Sequence, residues 1–155
     1  MLYKKALRIY NIIYKKLTRK YKVKVYKVGS LRRESAEVRD IDFLIVSRNK
    51  NILKTIEFAN SQVRECGTKR KKIYLKKYHI KIDLFYSEPA SLPFALLHHT
   101  GSKDFNIRIR SVAKKHGLKL NQYGLFKGAK SLRFRSERAI LKYLNITYKC
   151  PKDRD

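Results

Sequence analysis

An α+β fold, with a sheet-based first half and a mainly helical second half, is what the hydrophobic periods of this 155-residue chain support. Between residues 23 and 86 apolar residues alternate or run together in short stretches, the pattern of strands. Beyond residue 92 they recur every three or four positions, the pattern of helices. SEPASLP, residues 87 to 93, separates the two regions, holds two of the three prolines, and is the best place for a domain junction.

Each element has its own signal. Leu2, Ala6, Ile9, Ile13 and Leu17 predict an amphipathic helix over 2–17. VKVYKV, 23–28, alternates as a strand and stops at Gly29-Ser30, after which LRRESAE is expected to start a short helix. IDFLIV, 41–46, is a buried strand, and NILKTIEFAN, 51–60, reads as helical. In KKIYLKKYHIKIDLFY, 71–86, Ile73 and Leu75 precede a break and Ile80, Ile82 and Leu84 follow it, which suggests a hairpin with Asp83 on the face opposite Ile82 and Leu84. FALLHH and SKDFNIRIRSVAKKHG are helical, the second with Phe105, Ile109 and Val112 as its buried stripe. A small hairpin around LKLNQYGLF and a last helix, SERAILKYLN, complete the chain.

Hydrophobic residues make up 43% of the chain and aromatics 12%, enough for a packed core. Against 12 acids stand 39 lysines and arginines, a formal net charge of +27 spread from end to end. A folded body so charged attracts polyanions, and nucleic acid is the partner this favours over anionic membrane. No apolar stretch is long enough to span a bilayer, and the N-terminal twenty residues are interrupted by charge too often for a secretory signal, so an intracellular location is expected. Cys66 and Cys150, without CxxC partners, read as two reduced thiols.

In this basic chain Asp40 and Asp42 sit one residue apart at the start of an apolar run. On a strand both carboxylates emerge on one side, and like charges that close repel unless a cation lies between them. Asp83, flanked by apolar residues in KIDLF, is a third acid; if its strand lies beside 41–46, the three form an oxygen-only site that suits Mg²⁺ and not zinc. Taken singly, each aspartate could instead close a turn or pair with a lysine. The Gly29-Ser30 turn weighs the other way: glycine permits close backbone approach, free N–H groups at a helix start favour phosphate, and Arg33 can bond the same anion.

Gly29-Ser30, nine residues, then Asp40-Ile41-Asp42, with Asp83 on a later strand, resembles the signature of the polymerase-beta nucleotidyltransferase superfamily. HHTGSKDFNIRIRSVAKKHGLKLNQYGLF, 98–126, and the terminal YKCPKDRD are similar to segments of the family X DNA polymerases, so the resemblance covers about residues 28–155. It implies a nucleotidyltransferase palm over 1–86, a mixed sheet with helices, followed by a small, mainly helical C-terminal domain over 87–155 that binds the nascent base pair. It further implies Asp40, Asp42 and Asp83 as catalytic ligands of two Mg²⁺ ions, with Mn²⁺ as a substitute. Gly29, Ser30 and Arg33 would hold the triphosphate, and His98, His99, Thr100 and Gly101 would lie under the sugar of the incoming dNTP. Two histidines depart from the family's usual aromatic pair there.

Asn106 and Arg110, four apart on one helical face, would meet the minor groove of the nascent pair. Lys103, Arg108, Lys71 and Lys72 would add contacts to DNA, while KRKK at 69–72 could otherwise be a solvated turn or a nuclear address. No N-terminal lyase domain is expected, and with it no lyase activity. The resulting expectation is a monomeric, template-directed DNA polymerase acting on gapped or nicked duplex, passing its product to a DNA ligase. A template-independent nucleotidyltransferase of the same superfamily and a non-catalytic basic DNA-binding protein are the two alternatives.

Overall fold

The computed structural model describes residues 1–155. Helix α1 (Tyr3–Tyr21) leads into β1 (Lys24–Lys27), a four-residue helix α2 (Gly29–Arg32), β2 (Asp40–Val46), α3 (Ile52–Thr55), β3 (Ser61–Cys66), β4 (Arg70–Leu75) and β5 (Ile80–Ser87). After a turn at Pro89–Ser91 come α4 (Leu92–Thr100), α5 (Lys103–Lys115), the strands β6 (Lys119–Asn121), β7 (Gly124–Lys127) and β8 (Lys130–Leu132), and α6 (Glu137–Tyr143).

Five strands form one mixed sheet in the order β1-β2-β5-β4-β3, in which only β2 and β5 run parallel. Ile41, Phe43 and Ile45 of β2 and Ile82 and Leu84 of β5 face α1, whose Ala6, Ile9, Ile13 and Leu17 are buried on them; Tyr10 stacks on Phe43 at 4.7 Å. Alternation sends Asp40, Asp42, Leu44 and Val46 to the other face, where Leu44 and Val46 pack with Val28 and with Ala95 of α4. The α1 face of the sheet is therefore the core face, and the face toward α4 carries the acids. A separate apolar cluster joins Phe94, Phe105, Ile109, Leu125, Ile140 and Leu141 in the second half.

Several expected elements change length or company. LRRESAE is not a helix: α2 ends at Arg32, and Arg33 is its C-cap. Helix α3 stops at Thr55, because the Tyr21 hydroxyl ties the backbone of Glu57 from both sides and turns the chain. Val63 to Cys66, left without an element above, lie in the exposed strand β3 that extends the 71–86 hairpin. The buried stripe of α5 is Phe105, Ile109 and Ala113, with Val112 at its margin, and the small hairpin gains β8 as a third strand.

Candidate active site

Register brings the carboxylates together. Asp42 of β2 stands directly beside Asp83 of the parallel neighbour β5, with Asp40 two residues earlier on the same face. Burial first, then the like charges of Asp40 and Asp83, push the Asp42 carboxyl up to about 7, against the pull of Arg70 and Arg33. No three acid, histidine or cysteine side chains converge on a single point, and Asp83 Oδ2 accepts from Arg70 Nη2 at 2.7 Å. Asp83 Oδ1 is buried and has no partner, so the donor set of three hard oxygen ligands, one already held by a cationic stand-in, fits divalent metal.

Beside the acids Gly29 has φ +65°, and a Cβ there would sit 1.9 Å from Asp42 Oδ2, so the turn and the acid share one volume that only glycine leaves open. Ser30 Oγ is buried without a hydrogen-bond partner. Arg33 reaches across the cleft: Nη1 donates to the Thr100 carbonyl at 2.6 Å, and Nε pairs with Asp155 Oδ1 at 3.4 Å without bonding it. Gly101, at φ +71°, lets that guanidinium approach; a Cβ would lie 3.1 Å from Nη1.

The opposite wall is the end of α4 and the start of α5. Arg110 donates to Nδ1 of His98 at 2.5 Å, which makes His98 a neutral acceptor, and burial together with Arg110 holds it down at about 4. His99 lies flat on Phe85 at 4.2 Å and meets His98 edge-on; burial, His98 and Arg70 hold it down at about 3. Asn106 Nδ2 donates to the His98 carbonyl at 2.7 Å, leaving Oδ1 buried and unpaired. These residues, with Lys103, line a cleft of about 490 Å³ in which Ile107 is the one apolar member. It has the size and polarity of a site for a charged small molecule.

A model described as the DNA polymerase beta thumb matches residues 95–155. The Repair DNA polymerase X of African swine fever virus (isolate Tick/South Africa/Pretoriuskop Pr4/1996) is 38% identical over 141 residues, covering 84% of this chain and 80% of its own length. The chain belongs to the family X DNA polymerases. The DNA polymerase/3'-5' exonuclease PolX of Bacillus subtilis (strain 168) is 32% identical over 125 residues, 77% of this chain but 22% of that larger protein. Polymerase beta of Leishmania infantum, solved as a ternary P/T complex, superposes on all of this chain and 76% of its own with a TM-score of 0.84 at 20% identity, which shows the shared fold.

For this family X polymerase, one expected contact needs revision. Lys71 is buried at 3% exposure with its Nζ donating to the Ile56 carbonyl at 2.6 Å, so it cannot reach DNA; it shares strand parity with the buried Ile73 and Leu75. Thr100 lines the cleft, its Oγ1 accepting from Arg32 Nη1 at 2.6 Å. Lys72 stays on the acid face, beside Asp83 in register. Arg108 points toward the chain end, donating to the Asp155 carbonyl at 3.3 Å, and lies outside the cleft.

Other residues of the site escaped the sequence reading. Arg70 opens β4 and was counted only within the KRKK run, although parity with Lys72 would have turned it toward Asp83. Phe85, two residues after Asp83, floors His99 and faces Arg70 at 5.3 Å. Behind α2, Glu137 of α6 accepts from Arg32 at 2.7 Å and from the fully buried Arg154 at 2.7 Å, joining the short helix, the last helix and the chain end. No local pattern announces that cluster.

Proposed function

We propose that this polymerase adds nucleotides to a primer under template direction and fills short gaps during DNA repair. One observation carries the reading: of the six buried side-chain polar atoms without partners, four belong to Ser30, Arg33, Asp83 and Asn106, at or directly behind a single polar cleft. Buried polar groups are almost always satisfied, so orphans gathered in one place await ligands that bring their own donors and acceptors. A dNTP supplies phosphate oxygens for Ser30 and Arg33 and a base edge and sugar for Asn106. The sequence similarity to repair polymerases points the same way.

Asp40, Asp42 and Asp83 would hold two Mg²⁺ ions, or Mn²⁺ in their place, which when bound lower the pKa of the primer 3′-hydroxyl and neutralise the leaving pyrophosphate. The protein's own part is positioning, which is most of what phosphoryl and nucleotidyl transfer asks of it. Ser30 donates to a phosphate oxygen, Arg33 exchanges the Thr100 carbonyl for phosphate, and the 98–101 segment walls the sugar. Arg110, steadied by His98, reaches toward the template side of the new pair. A palm over 1–86 and a base-pair-binding domain over 87–155 then meet at this cleft, and gapped duplex DNA, dNTPs and a downstream DNA ligase are its partners in an intracellular setting.

Primer extension on a one-nucleotide-gapped duplex, each dNTP against each template base, tests the reading. Incorporation should follow the template and vanish in Asp42→Asn and Asp83→Asn while DNA binding persists. Near-native extension by either variant, or incorporation indifferent to the template base, would refute it.

A further inference from the structure

The cleft uses few of the chain's cations. Residues 1–33 contain twelve lysines and arginines and no acid, and none of those on α1 makes an ion pair. At 100° per residue, Lys4, Lys5, Arg8, Lys15, Lys16 and Arg19 fall within a sector of about 120°. All six are exposed. The opposite side of α1 is the buried one, formed by Ala6, Ile9, Ile13 and Leu17 against the sheet. The cationic sector therefore faces solvent, on the far side of the sheet from Asp40 and Asp42.

Where α1 ends, Lys15, Lys16, Arg19 and Lys20 form one wall of a cleft of about 430 Å³ whose other wall is Glu57, Phe58 and Ala59. One carboxylate faces four cations there. Like charges so dense and unpaired repel one another, and the arrangement gains stability when a polyanion displaces its counterions.

We infer that the outer face of α1, from Lys4 to Lys20, is a second nucleic-acid surface that holds the phosphate backbone of a duplex segment separate from the one at the active site. Two features select nucleic acid over an anionic membrane. The apolar side of α1 is spent on the core, so the helix has no face to insert among acyl chains; Ile12 is the one exposed aliphatic residue inside the basic sector. The charges also run along about 22 Å of helix, a length matched by a row of backbone phosphates. Because duplex DNA stays straight over about 150 bp, a short duplex seated in the cleft cannot bend round to the opposite face. The second surface therefore takes another duplex, or a distant part of a long one.

The test uses the full chain carrying Arg8→Gln, Lys15→Gln, Lys16→Gln and Arg19→Gln together, with circular dichroism confirming the fold. Binding to an ungapped duplex of about 40 bp, titrated against salt, should lose about 3 to 4 units of log-log slope if each substituted base neutralises one phosphate. Energy transfer between donor- and acceptor-labelled short duplexes should show bridging by the wild type and none by the variant. Single-nucleotide incorporation at saturating gapped DNA should be the same in both. A Lys15→Glu, Lys16→Glu variant should lose bridging at lower salt than the wild type. An unchanged slope with intact bridging would overturn the inference, as would phosphatidylserine vesicles outcompeting duplex for the wild type. Loss of incorporation in the wild type would instead strike the proposed polymerase activity and leave the α1 surface standing.

Discussion

Arg70 Nη2 lies 2.7 Å from Asp83 Oδ2, so the acid face of the sheet pairs its buried carboxylate with a guanidinium. The pair is unequal in exposure: the Asp83 side chain is 7% exposed and that of Arg70 37%. Arg70 can swing out, and Asp83 cannot. Arg70→Gln should therefore weaken the metal-free protein by about 1 kcal/mol, at the lower end of what an abandoned buried carboxylate costs because water reaches this pair. Added Mg²⁺ should restore what was lost, giving a larger thermal shift with metal in the variant than in the wild type. Differential scanning fluorimetry with and without Mg²⁺ measures it; equal shifts would separate Arg70 from the metal site.

Gly29→Ala is expected to cost more activity than any other single-methyl change in the chain. The new Cβ collides with Asp42 Oδ2, and the backbone at φ +65° is strained for any L side chain by about 1 kcal/mol or more. Asp42 must move or the α2 turn must open, and either displaces a carboxylate from its partners across the register. Incorporation should fall at least about 100-fold, since displacements of that scale have such effects on positioned reactions. Gapped-duplex affinity, read by anisotropy, should change far less.

Because Arg110 donates to Nδ1 and burial opposes a second proton, His98 stays neutral throughout ordinary buffer conditions. Its folded value near 4 lies below the unfolded one near 6.5, so it adds no titration between pH 6 and 8. The pH profile of single-turnover incorporation should have the same shape in His98→Asn as in the wild type over that range. A limb near pH 6.5 that disappears in the variant would show that His98 carries a proton during turnover. Arg110→Ala frees Nδ1, and its signature should be poorer discrimination against mispairs with gapped-DNA affinity nearly kept.

What sequence alone revealed was whatever obeys a period or a short spacing. Strands β2 and β5 were legible because an apolar run with acids at one parity allows a single facing, and the register then follows from pairing those runs. Strand β3 was invisible for the converse reason: Val63, Arg64, Glu65 and Cys66 are all exposed, and backbone bonding to β4 holds them without any hydrophobic alternation. Lys71 and Arg70 were misjudged by charge when parity was the better guide, since Ile73 and Leu75 already marked the buried side. Helix α3 ended early through a contact from Tyr21, thirty-six residues away. Glu137 lies 105 residues from Arg32, beyond any local rule.

That Glu137 cluster contributes acid sensitivity to the fold. Burial raises the Glu137 carboxyl, but hydrogen bonds and charge from Arg32 and then Arg154 outweigh it and hold the group below its ordinary value. A carboxylate depressed in the folded state contributes stability that is complete above the unfolded value of about 4.3 and is lost as pH falls through the lower folded value. Urea midpoints should therefore drop with acid in that window, and Glu137→Gln should flatten that part of the curve. The same variant leaves the fully buried Arg154 guanidinium without a counter-ion, a loss of about 3 to 5 kcal/mol at neutral pH. Removing both charges, as Glu137→Gln with Arg154→Met, should recover much of it, because the penalty belongs to the stranded cation. If the double variant were no more stable than the single, the cluster's contribution would lie in the packing of α6 and the chain end, and not in the ion pair.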